Sequence, residues 1–121
     1  MAKIRIAQYW AAGCGGCDVA LLDIDEKILG VAEIADIAFW PIAVDAKVKD
    51  VEAMPDGYIT ATLINGAIRN SENEHMAKLL RQKSALIVSF GSCACFGGVP
   101  GLANMTSKKE ILEYVYWHTP T

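Results

Sequence analysis

Lys3-Ile-Arg-Ile-Ala-Gln-Tyr9 runs straight into Trp10-Ala-Ala-Gly-Cys-Gly-Gly-Cys17, and a helical pattern starts at Asp18. Apolar residues alternate through the first segment and Ile recurs, which predicts a strand over residues 3–9. Asp18 is the expected N-cap of the helix after the glycine loop. Leu21, Leu22, Ile28 and Leu29 fall on one face at helical spacing, and Gly30 is placed to end that helix. Strand, glycine loop and helix in this order open an α/β unit.

The alternation continues along the chain. Residues 36–40 predict a second strand, stopped by Pro41. Residues 46–54 suit a short helix, and Pro55-Asp56-Gly57 is a turn signal. Residues 58–64, rich in Ile, Thr and Tyr, predict a third strand that Asn65-Gly66 breaks. Ser71-x-x-Glu74 reads as a capping box for a helix that turns Met76, Leu79 and Leu80 inward. Residues 85–90 are nearly all apolar and predict a fourth strand buried on both faces. Ser107-x-x-Glu110 caps a last helix with Ile111, Leu112 and Val115 inward. Such alternation with right-handed crossovers implies a parallel sheet covered on both faces. The fold class is α/β, a flavodoxin-like doubly wound sheet of about four strands in the order 2-1-3-4.

The bulk numbers bound the function. The chain has 121 residues, which suits one domain over 1–121. It is 53% hydrophobic with a mean hydropathy of +0.26, so some apolar surface is expected to meet a partner. The aromatic end, Tyr114-Val-Tyr-Trp-His118, reads as a cut or as a partner-covered segment, so the domain is expected to be truncated at its C-terminus. Net charge is −3 without a Lys/Arg cluster, which argues against nucleic acid as a partner. No apolar run is long enough to span a bilayer, so no transmembrane segment is expected. The start lacks the layout of a secretory signal. A cytoplasmic location with reduced thiols is expected, which favours cluster, metal or redox use of cysteine over disulfides.

All four cysteines lie in two glycine loops. Cys14 and Cys17 follow the first strand, and Gly91-Ser-Cys93-Ala-Cys95-Phe-Gly-Gly98 follows the fourth. In open α/β sheets ligands sit outside the carboxyl ends of the strands. Two inter-strand spacings, roughly 10 Å, separate the loops, so they must reach over the third strand. Its end, Asn65-Gly66-Ala67, is small enough to leave room. Thiolates at one sheet edge, with glycine N–H groups and helix starts beside them, suit an anionic iron–sulfur centre. Other readings stay open. Cys14-Gly-Gly-Cys17 alone matches a thioredoxin-like redox motif, and four cysteines could bind zinc. A flavin rests on the fold alone, because the first loop has no hydroxyls for a phosphate. Small buried core cysteines are the plain alternative.

The sequence resembles the small, iron–sulfur subunit of nickel–iron hydrogenases. The narrower likeness is to the cytosolic viologen-reducing type of methanogens and related anaerobes, and to the sulfhydrogenase delta subunit. The matching stretches are Ala12-Gly-Cys14-Gly-Gly-Cys17, Ile64-Asn-Gly-Ala-Ile-Arg-Asn70, and the long run from Val88 through Cys93 to Asn104. The resemblance implies an N-terminal flavodoxin-like domain holding the 4Fe–4S cluster nearest the nickel–iron site. Cys14, Cys17 and Cys93 match three of that cluster's ligands. The partners it implies are a catalytic large subunit and further iron–sulfur carriers that lead toward heterodisulfide reductase. This chain would be the electron-transfer subunit of the oxidoreductase, with no catalytic residue of its own.

Three departures matter. The family's fourth ligand lies further downstream than this chain extends, so either Cys95 substitutes or the ligand lies outside residues 1–121. Many members carry Glu where this chain has Asn65. The further clusters of the full subunit would need cysteines absent here. The Cys-x-x-Cys spacing also argues against the quinone-reductase branch, whose first loop carries adjacent cysteines. Trp10 sits where it could shield a cluster, and neither His75 nor His118 is expected to be a ligand.

Overall fold

The computed structural model describes residues 2–120. Four parallel strands form one sheet in the order β2-β1-β3-β4: β1 Ile4–Trp10, β2 Ala35–Phe39, β3 Ile59–Asn65 and β4 Ser84–Ser89. The helices are α1 Gly16–Leu22, α2 Ile28–Ile34, α3 Val48–Ala53, α4 Ser71–Lys83, α5 Ser92–Phe96 and α6 Lys108–Trp117. This is the expected α/β class and strand order.

Alternation along β1 sends its residues to two faces. Ala7 and Tyr9 join Phe39, Val51, Ile59, Met76 and Leu80 in the main core, under α3 and α4. Val51, Ile59 and Leu80 are fully buried. Ile6 and Gln8 face the other layer, where Leu21, Ile24, Ile28 and Val31 surround an apolar cavity of about 80 Å³.

Several local expectations are corrected. The first helix does not run to Gly30. It ends at Leu22, a short 3-10 turn at Asp25–Lys27 follows, and Gly30 lies inside α2. Asp25 takes φ 50, a left-handed value that interrupts the helix. The inward stripe therefore shifts, and Leu22 and Leu29 point out to solvent. Asp18 is not the N-cap: Gly15 is, and Asp18 is buried in the first turn. Asn70, not Ser71, caps α4, its side chain accepting from the Asn73 N–H at 2.9 Å. Glu74 pairs instead with Lys78 one turn along.

The fourth strand is not buried on both faces. Among the described residues it is a sheet edge with only β3 beside it, and Leu86 is 57% exposed. Ser107 and Glu110 do form the expected capping box of α6. Its Leu112 and Val115 do not turn into a core, however, and both are largely exposed.

Candidate functional site

The site is built at the carboxyl ends of β1, β3 and β4. β1 continues past Trp10 into a loop laid directly on the end of β3. The Ala11 N–H donates to Asn65 O at 2.8 Å, and Ala12 and Ala67 exchange two backbone hydrogen bonds of 3.0 and 2.7 Å. Gly66 is the residue that permits this. It takes φ 85, and a Cβ there would stand 2.7 Å from the Ala12 nitrogen. Only glycine combines that backbone with so close a crossing. On the other side the Phe90 N–H donates to Ile64 O at 2.9 Å, fixing the exit of β4.

Anchored to one strand end, the two cysteine loops meet. A Cβ built on Gly13 would lie 3.7 Å from Cys93 Sγ. One built on Gly91, at φ 90, would collide with Cys17 Sγ, so a side chain there is excluded on both counts. Each loop thus packs a thiol against a glycine of the other, which closes the gap across β3. The Gly16 N–H donates to Cys14 Sγ at 3.4 Å. A Cβ on Gly98 would stand only 3.1 Å from Cys93 Sγ. All four cysteines are free thiols.

Cys95 behaves differently. Residues 92–96 form a helical turn, not an extended segment, and the Cys95 N–H donates to Gly91 O at 3.0 Å. Positions i and i+2 of a helix point about 200° apart. Cys95 Sγ accordingly donates to Ser89 O at 3.4 Å and is exposed.

Burial pushes the Cys17 thiol above its ordinary range, and the nearby charges of Cys14, Cys93, Asp18 and Cys95 push it the same way. Mutual repulsion of this kind is relieved by a cation that draws the thiolates together. No three His, Cys, Asp or Glu side chains among the described residues converge as the ligands of a single metal ion would.

Residues missed by the sequence reading lie directly beneath the first loop. Asp18 is 1% exposed, and its Oδ1 accepts from Gln8 Nε2 at 2.5 Å and from Asn65 Nδ2 at 3.4 Å. Gln8 was the available signal, a polar residue in the middle of an apolar strand. Trp10 leans over the loop, its indole N–H donating to Gly13 O at 3.2 Å. His75 sits on the exposed face of α4, as expected.

Comparison with known proteins places these features in a family. Residues 14–118 match the family described as NADH ubiquinone oxidoreductase, 20 Kd subunit. Over 98% of its length the chain is 47% identical to the iron-sulfur subunit of the F420-non-reducing hydrogenase of Archaeoglobus profundus, of which it covers 37%. Over 93% of its length it is 25% identical to the sulfhydrogenase 2 subunit delta of Pyrococcus furiosus, of which it covers 44%. The chain therefore spans less than half of either relative. A chain in the crystal structure of an NAD+-reducing [NiFe]-hydrogenase in the H2-reduced state superposes with a TM-score of 0.84. The identity there is 30%, over 98% of this chain and 62% of that one. The protein belongs to the NADH ubiquinone oxidoreductase 20 Kd subunit family, and within it is nickel–iron hydrogenase small-subunit-like.

Proposed function

We propose that this chain is the electron-transfer part of a nickel–iron hydrogenase, with Cys14, Cys17 and Cys93 holding a 4Fe–4S cluster. The observation that carries the reading is the meeting of the two loops, Cys17 against Gly91 and Cys93 against Gly13. When bound, such a cluster accepts and returns one electron at a time. The chain's own residues hold and shape its site. Gly91 and Gly98 leave no side chain between the thiols and whatever they bind. The Gly16 N–H already donates to a ligand sulfur, the kind of contact that tunes a cluster's potential. Trp10 packs its ring on Gly15 and donates its indole N–H to Gly13 O, which braces the first loop.

The fourth ligand lies outside residues 1–121 or is Cys95. The outward turn of Cys95 toward Ser89 favours the first. The partner that supplies electrons is a large subunit bearing the nickel–iron centre, and electrons leave toward further iron–sulfur carriers linked to heterodisulfide reductase. Assembly is cytoplasmic. No helix among the described residues is long and apolar enough to cross a membrane.

The test is metal and sulfide analysis of protein purified without oxygen. The expected result is about four irons and four sulfides per chain. One zinc per chain without sulfide would replace the reading with a structural zinc site. Neither iron nor zinc, together with a reversible disulfide between Cys14 and Cys17, would replace it with a thiol-redox domain.

A further inference from the structure

Asp18 is a buried charge to which the electron-relay reading gives no task. Its Oδ1 is held by Gln8 and Asn65, while its Oδ2 is buried without a partner. Gln8 Oε1 and Asn65 Oδ1 are buried and unpartnered as well. None of the ion pairs among the described residues involves Asp18. The contrast is Lys83, the other buried charge, which pairs with Asp56 at 2.9 Å. A buried carboxylate without a counter-ion is costly. Asp18 lines a cavity of about 420 Å³ that Arg69 also borders, yet no ion pair joins the two.

The three residues come from three elements that meet under the first cysteine loop. Gln8 is on β1, Asn65 ends β3, and Asp18 follows Cys17 in the first turn of α1. The two amide donors fix the carboxylate, and the carboxylate fixes the turn that carries Cys17.

We propose that Asp18 is a positioning residue for the cluster-binding loop and that its fixed charge lowers the reduction potential of the cluster. The inference rests on the electron-relay reading. An added electron makes a thiolate-bound cluster more negative. A fixed negative charge buried beside it acts through a low local dielectric and disfavours the reduced state. Gln8 and Asn65 keep that charge in place without neutralising it.

The experiment is a redox titration followed by electron paramagnetic resonance. It uses the gene's whole product assembled with its partner subunits and purified without oxygen. Wild type is compared with Asp18→Asn and Asp18→Ser. Asp18→Asn keeps the shape and removes the charge, so the midpoint should move up. Asp18→Ser removes the same charge with a different side chain, so the midpoint should move the same way. The midpoint is read on the clusters that load, so partial loss of iron does not hide a shift. If one variant loads none, the other decides. An unchanged midpoint in a loaded variant, or a shift of the opposite sign, overturns the proposal. Loss of cluster from both variants also counts against it, because the network is then a folding element alone. Wild-type protein without iron and sulfide would instead overturn the electron-relay reading.

Discussion

Gly91 and Cys17 come from opposite ends of the chain, and no methyl group fits between them. Single residues set the site through such pairs. Cys17 and Cys93 each pack against a glycine of the other loop, while Cys95 donates to Ser89 O. The cysteines are therefore unequal. Cys93→Ser should remove iron and sulfide together, and Cys95→Ser should leave both at the wild-type level. Iron and sulfide assays after anaerobic purification decide between these outcomes. An intact cluster in Cys93→Ser would break the ligand assignment, and a lost one in Cys95→Ser would make Cys95 the fourth ligand.

The elements hold these residues through local chemistry that can be titrated. Glu110 is lowered from its ordinary value, because the Ser107 N–H and then the Ser107 hydroxyl donate to it. A carboxylate whose folded pKa is depressed stabilises the fold above its unfolded pKa. That stabilisation is lost as pH falls through the folded pKa. The cap of α6 should therefore weaken only at acid pH, below the ordinary glutamate titration. In a carboxyl NMR titration, Glu110 should have a lower midpoint than an unpaired glutamate, and Ser107→Ala, which keeps the backbone donor, should raise it only part of the way. A wild-type midpoint equal to that of an unpaired glutamate would mean that the box does not hold in solution.

That box is legible in the sequence because its partners are three residues apart. The strands are legible for a similar reason, since apolar periodicity is a local signal, and their order and the gathering of both cysteine loops follow from the regular strand–helix alternation. Asp18 reads wrongly as an N-cap because its partners, Gln8 and Asn65, lie 10 and 47 residues away. The break before α2 depends on Asp25 at φ 50, a conformation aspartate adopts only occasionally and the apolar pattern does not mark. Apolar content suggests two buried faces for β4. Burial depends on what lies against a strand, and β4 is an edge. The Cys-x-Cys spacing does not say where Cys95 points, whereas Gly91 and Gly97 bracket a helical turn that rotates it away.

Across the whole molecule the apolar excess has a location. Phe96, Val99, Leu102 and Met105 follow the second cysteine loop, and all are well over half exposed. Tyr114, Tyr116 and Trp117 on α6 are exposed as well. An apolar surface beginning at the cluster loop is what docking against a catalytic subunit requires. On the proposed reading, the sheet and its helices hold one redox group at the edge of that contact. Electrons drawn from dihydrogen should pass through the place where the two loops meet. Electron paramagnetic resonance of the anaerobically purified complex, before and after exposure to dihydrogen, reads this passage. A reduced-cluster signal should appear in the wild type and be absent in Cys93→Ser. A wild-type complex that contains iron and sulfide, consumes dihydrogen, and yet shows no signal dependent on Cys93 would contradict it.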